Sequence, residues 1–252
     1  MELQGIYVLW LRDLKRYVRV KSRILGSLGM PIFFLTFFSL GFRRVEIPSL
    51  PSDLTYTEFL VPGIISMVIL FTSTFSGISI VWDRQFGFLR EIMVSPVSRT
   101  TIALGRTLGG ATTALIQGLI MALLSFLVGF KPSPRGFVLS VIFMFLIAVA
   151  FTGVGVLIST FMRDIHGFQI VINFFVFPIF LLSGALFPIS EFPEVVINLA
   201  KFNPLTYGVD GIRWATTGYS EFNPFYDFLI LVSFCAVIIF VSAFLFSRTE
   251  VE

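Results

Sequence analysis

The residue types that carry chemistry are few in this chain of 252 residues, and none is placed for catalysis. The only histidine, His166, sits in the short stretch Arg163 to Gln169 with no second histidine to share a metal ion, so it reads as a solvated loop residue. The only cysteine, Cys235, lies inside an apolar run, which excludes an intrachain disulfide or a thiolate cage and leaves it a packing role. A phosphate-binding loop needs Gly before Lys, yet the four lysines, Lys15, Lys21, Lys131 and Lys201, follow Leu, Val, Phe and Ala. H-E-x-x-H and G-x-S-x-G are both missing. Enzyme chemistry is therefore not expected here, and any ATP chemistry must come from another polypeptide.

What would position these groups is a set of membrane helices. The chain is 56% hydrophobic and 13% charged, against roughly 45–50% apolar and about 25% charged for a soluble domain. Six stretches without Asp, Glu, Lys, Arg or His are long enough to span: 24–42, 59–82, 107–130, 137–162, 170–190 and 228–247. They leave no room for a sizeable soluble domain. The first is not a cleavable signal, because a charged, amphipathic segment precedes it and Arg43-Arg44 follows it. Proton-coupled carriers and voltage sensors need ionisable groups at depth, and the spans offer none. Two polar side chains remain inside them. Gln117 and Asn173 can meet a substrate or hydrogen-bond between helices. The small-residue spacings Gly105-x-x-x-Gly109, Gly110-x-x-x-Ala114 and Gly153-x-Gly155 allow close helix approach within a subunit or at a dimer seam.

Six spans put both ends on one side, and the basic residues say which. Twelve of the 18 Lys and Arg fall in the terminal segments and the loops 83–106 and 163–169, which are therefore expected to be cytoplasmic, in a plasma-membrane protein with both termini inside. The +3 excess is an orientation signal and calls for no nucleic acid. Leu3 to Arg23 has helical periodicity: Leu3, Tyr7, Trp10, Leu11, Leu14 and Val18 share one face, and Arg12, Lys15, Arg16, Arg19 and Arg23 the other. That suits a helix lying in the lipid interface, or an ordinary positive anchor. In the cytoplasmic loop, Phe86, Leu89, Ile92 and Met93 form an apolar stripe up to the helix stop at Ser95-Pro96. The stripe must pack on the chain's own spans, on lipid or on a partner. The outer segment from Pro188 to Asp227, broken by four prolines, reads as short helices lying at the outer surface.

Three motifs in order resemble the membrane subunits of the ABC-2 family of ATP-binding-cassette exporters, closest to the drug and antibiotic exporter branch. Phe59-Leu60-Val61-Pro62-Gly63-Ile64 opens the second span; Arg84 to Arg99 (RQFGFLREIMVSPVSR) looks like the family's cytoplasmic loop; Asn203-Pro204-Leu205-Thr206-Tyr207-Gly208-Val209-Asp210-Gly211-Ile212-Arg213 resembles its segment before the last span. The resemblance implies one transmembrane domain over residues 1–252, all-α, with six spans, an N-terminal interfacial helix, a coupling helix and external helices. It makes the loop the coupling helix that seats in an ATPase: Phe86, Leu89, Ile92 and Met93 as its apolar contacts, Gly87 for close approach, Arg90 and Glu91 as rim charges, Ser95, Pro96 and Arg99 closing it. The partners implied are two copies of a separately encoded ATPase, which bind ATP and Mg, a second permease copy or a sister permease, and membrane lipid. The cargo implied is hydrophobic or amphipathic. In the outer motif, Asp210 and Arg213 are read as a structural ion pair. An ATP-independent channel or carrier is the alternative that the residues themselves leave open.

Overall fold

The computed structural model describes residues 2–42, 48–52, 54–86 and 97–248, the side chains of Lys21, Arg23 and Ser247 excepted. Every regular element among them is helical. Helix α1 covers Glu2–Arg19, α2 Lys21–Gly41 and α3 Tyr56–Ser76, which continues past Gly77 into α4, Ile78–Gln85. Helix α5, Arg99–Leu124, ends in a 3-10 turn; α6 is Pro134–Phe161 and α7 Ile165–Leu181. Two shorter helices follow, α8 at Glu194–Phe202 and α9 at Pro204–Thr217, before α10, Pro224–Arg248.

Capping residues move several expected boundaries. Thr55 and Glu58 form a reciprocal capping box, so the second span opens at Tyr56, ahead of the expected Phe59. Ser98 accepts the Thr101 N–H and starts α5 at Arg99, well before the expected Thr107. Arg106 is consequently a buried helical residue, where a loop residue was expected. Asp164 caps α7, which begins at Ile165 in place of Ile170. The residues expected to form the coupling helix, Gly87, Leu89, Arg90, Glu91, Ile92, Met93, Ser95 and Pro96, lie outside the described residues.

Five helical stretches are long and apolar enough to cross a bilayer: Ile24–Gly41, Tyr56–Gln85, Arg99–Val128, Pro134–Phe161 and Pro224–Phe246. The second and fourth are 67% and 61% buried against 22% for the first and last, so α3 and α6 form the centre of the bundle and α2 and α10 its flanks. The two central helices meet where Gly77 lies on the Gly155 backbone and Gly155 on the Thr74 carbonyl. The Gly105 and Gly109 spacing is used inside the subunit, against Leu9 and Asp13 of α1, and Gly110 receives Ser76 and Thr152.

The fifth expected span departs from a simple crossing. With 17 residues and ~1.5 Å of rise each, α7 reaches about 25 Å, short of a hydrocarbon core of ~30 Å. It buries a stripe of Phe168, Ile172, Val176 and Phe180, and then the chain turns at Gly184, whose φ of 71° suits glycine. The turn is buried, Ser183 and Ala185 included. Helix α9 also departs from expectation. It is packed into the bundle and not exposed: Gly208 and Gly211 admit Ile147 and Phe143 of α6, and its residues from Leu205 to Arg213 are buried apart from Tyr207. Helix α8 keeps the expected exposure at Val195, Leu199 and Phe202.

Gly155→Val should lower the thermal midpoint of the purified protein in detergent, through an overpacking cost of about 1–3 kcal/mol. Gly26→Val, whose added Cβ meets nothing within 4 Å, should leave the midpoint unchanged.

Candidate functional site

Helix α1 and the last turn of α10 lie at the same end of the bundle, where Leu9 and Phe246 share an apolar cluster with Ile80 and Ile102. At this end the chain leaves α4 for residues 87–96 and returns into α5. Both departure points are tied down. Arg12 donates to Asp83 at 2.9 Å, and Arg106, its side chain only 2% exposed, pairs with both Asp83 and Asp13. Two arginines and two aspartates thus neutralise one another between α1, α4 and α5. Arg16 stacks over the Trp82 ring at 5.5 Å. Arg84 donates to the Met162 carbonyl at 2.9 Å, closing the C-terminus of α6. On the return side, Ser98 donates to Glu2 at 2.7 Å.

Helix α1 therefore has three sides. Gly5, Leu9, Asp13 and Tyr17 face the bundle; Leu3, Tyr7 and Val18 of the expected apolar face are exposed; Lys15 and Arg19 are exposed with the polar face. The polar face is not wholly solvated as expected, because Arg12 and Arg16 turn inward to Asp83 and Trp82. The reason is that Asp83 and Arg106, which pair with each other, also take Arg12 and Asp13 of α1 as partners, and Trp82 presents its ring to Arg16.

The opposite end is organised by Arg213, which is fully buried. Its Nη2 donates to the Gly184 carbonyl at 2.8 Å, its Nε to the Phe59 carbonyl at 3.3 Å, and its guanidinium carbon stands 3.7 Å over the Phe59 ring. Asp210 and Glu221 are more distant, at 4.0 Å and 3.9 Å. The expected Asp210–Arg213 pair is thus a long contact, and each residue has shorter partners elsewhere. Asp210 accepts the backbone N–H groups of Glu221 and Phe222 at 2.9 Å each, and Glu221 accepts that of Ile189 at 2.9 Å. Tyr56 donates its hydroxyl to the Leu186 carbonyl at 3.0 Å. Burial pushes Asp210 and Glu221 above the ordinary carboxylate range and Arg213 below its own, while their mutual attraction opposes each shift.

The rest of the outer motif builds helix ends. Asn203 caps α9 through the Leu205 N–H and donates to the Ile179 carbonyl at 2.6 Å, with Pro204 in the first turn. Thr206 and Tyr207 donate to the carbonyls of Ala200 and Lys201. Of the polar span residues, Gln117 donates to Ser27 of α2 at 2.6 Å, and Asn173 is exposed on α7. Phe86 is 76% exposed, and Arg99 is exposed at the first turn of α5. The Arg12, Asp13, Asp83 and Arg106 cluster was not expected from the sequence, where Asp83 and Arg106 only marked the limits of apolar stretches and Arg12 lay on the polar face of the interfacial helix. A usable signal was present: Asp83 and Arg106 close the two spans that flank the loop.

Fold and sites define a multi-pass helical membrane protein with its charged groups gathered at the ends of an apolar bundle. The chain belongs to the ABC-2 type transporter family, whose family model matches residues 4–217. It is similar to the inner membrane transport permease YadH of Escherichia coli K12, with 25% identity over 240 residues covering 94% of this chain and 90% of YadH. It also resembles nodulation protein J of Sinorhizobium fredii, with 27% identity over 195 residues covering 76% of this chain and 73% of that protein. Permeases of this family are membrane subunits rather than enzymes, and the family sets the chain in an ABC transporter with an ATPase partner.

Asp83→Ala should destabilise the protein by leaving one carboxylate, Asp13, to two arginines, Arg12 and Arg106, and adding Arg106→Met should recover much of the loss, both read by thermal unfolding. Arg213→Lys should also unfold earlier than wild type, since one ammonium cannot serve the Phe59 and Gly184 carbonyls as the two-pronged guanidinium does.

Proposed function

We propose that this chain is the permease of an ABC exporter that moves a hydrophobic or amphipathic substrate out of the cytoplasm. Two copies work with two copies of a separately encoded ATPase, which binds ATP and Mg. The chain crosses the plasma membrane six times, α7 and its buried turn making the fifth crossing, with both termini cytoplasmic. The inner-membrane name of YadH favours that location. The exposed phenylalanines of α7, Phe174, Phe175 and Phe177, suit a lipid or subunit contact.

The observation that carries this reading is the anchoring around residues 87–96. An ATPase that pushes on Phe86, Leu89, Ile92 and Met93 acts on a segment whose two roots are held by α1, α5 and the end of α6 through the Arg12, Asp83, Arg106 and Arg84 contacts. Motion of the segment then passes to the bundle in place of being absorbed by a loose loop. Spans whose charges gather at their ends, leaving 59–82 and 107–130 uncharged, suit an apolar cargo.

Leu89→Asp with Met93→Asp should abolish capture of the co-expressed ATPase by the permease and its stimulation in reconstituted vesicles. Unchanged capture and transport would remove this segment from coupling, and gradient-driven transport by the purified chain alone would favour a channel or carrier.

A further inference from the structure

A cavity of about 250 Å³ lies between α1, α2, α3 and α5. It has room for about eight groups the size of a water molecule, at ~30 Å³ each. Its floor contains Gln117, Met67 and Pro31, all buried, and its mouth is formed by Met30, half exposed, with Phe71 and Phe75 partly buried. The walls are mainly apolar, with a polar point where Gln117 meets Ser27; Tyr17 and Thr72 also line the cavity.

That polar point has unspent acceptors. The Gln117 carboxamide is fully buried, and its Oε1 meets no donor. Its orientation is fixed by Ser27: the Ser27 hydroxyl donates to the Ile24 carbonyl at 3.0 Å, so it can only accept from Gln117, whose nitrogen lies 2.6 Å away. The oxygen must then be the atom left unpaired. A second acceptor lies close by. Pro31 sits inside α2 and has no N–H, so the Ser27 carbonyl four residues earlier lacks its helical donor. One acceptor without a donor and a second short of its helical donor, beside a mostly apolar cleft, suit a ligand with a donor at one end and hydrocarbon along the rest.

We propose that this cavity binds an uncharged amphiphile from the bilayer, an apolar chain of about eight carbons at the site ending in a hydroxyl or amide N–H that donates to Gln117 Oε1 and the Ser27 carbonyl. The bilayer is the source because the mouth at Met30 continues along α2 into the exposed Phe33 and Phe37, apolar residues that water would not cover. A charged head group is disfavoured, since Gln117 and Ser27 supply no charge. The site belongs to one subunit and does not depend on the exporter reading, because binding is read on the permease alone.

The test uses the full-length permease in nanodiscs, photolabelled with a diazirine-bearing octanol and with the matching diazirine-bearing octane, adducts being mapped by mass spectrometry. Saturable octanol labelling of Met30, Phe71 or Phe75, at least tenfold above octane, is expected. Gln117→Leu, which keeps the volume and removes the acceptor, should reduce octanol labelling to the octane level. Pro31→Ala, which returns a donor to the Ser27 carbonyl, should lower it severalfold, and it serves as the second variant should Gln117→Leu fail to fold. Equal labelling by the two probes, or octanol labelling undiminished in the folded variants, would overturn the proposal.

Discussion

Backbone satisfaction away from water is the constraint on which this structure turns. In hydrocarbon an open carbonyl or N–H costs several kcal/mol, so irregular chain at membrane depth survives only where protein groups pair with it. The chain after α7 is irregular and buried in the protein. It is held by Arg213 on the Gly184 carbonyl, by Tyr56 on the Leu186 carbonyl and by Glu221 on the Ile189 N–H. These three side chains come from α9, from the start of α3 and from the turn before α10, so one short break in helix ties three distant parts of the chain together. It also explains why α9 is drawn into the bundle: its arginine must reach the turn, and Gly208 and Gly211 make the room.

The other end follows a different logic. Here a neutral set of two arginines and two aspartates replaces water for the charged ends of α4 and α5, and α1 supplies half of it. Buried ion pairs of this kind are weak as net stabilisers and costly to break singly. Their effect is to fix α1 in one register against α5, where Gly105 and Gly109 let Leu9 and Asp13 approach closely.

Much of the fold was legible along the chain because membrane insertion depends on local composition. The apolar stretches matching α2, α3 with α4, α5, α6 and α10 were found within a few residues, apart from the start of α5, which the Ser98 cap sets eight residues early. Short-range rules failed where burial came from elsewhere. Asp83, Arg106, Arg12 and Asp13 have the types of loop and interface residues, and nothing in their neighbourhoods says that they find one another across separations of up to 93 residues. Likewise the glycines of α9 suit a loose surface segment until α6 is placed against them. Among the sites, the outer motif was visible as a motif, but its work, capping helices and holding the Gly184 turn, was not.

Composition and hydrophobic length thus determined on their own that this is a multi-pass helical membrane protein, since the length of an apolar stretch is a property of sequence order. Family membership followed from three motifs in order and was confirmed by the match over residues 4–217. Tertiary structure alone decided which polar groups are spent and which are left over. Gln117 shows the difference: its identity permitted either a helix contact or a ligand, and only the hydroxyl of Ser27, committed to Ile24, leaves the carboxamide oxygen of this cavity-lining residue without a donor. Hydrogen-bond saturation is a property of neighbours in space, and residues 27 and 117 become neighbours only when α2 and α5 are packed together.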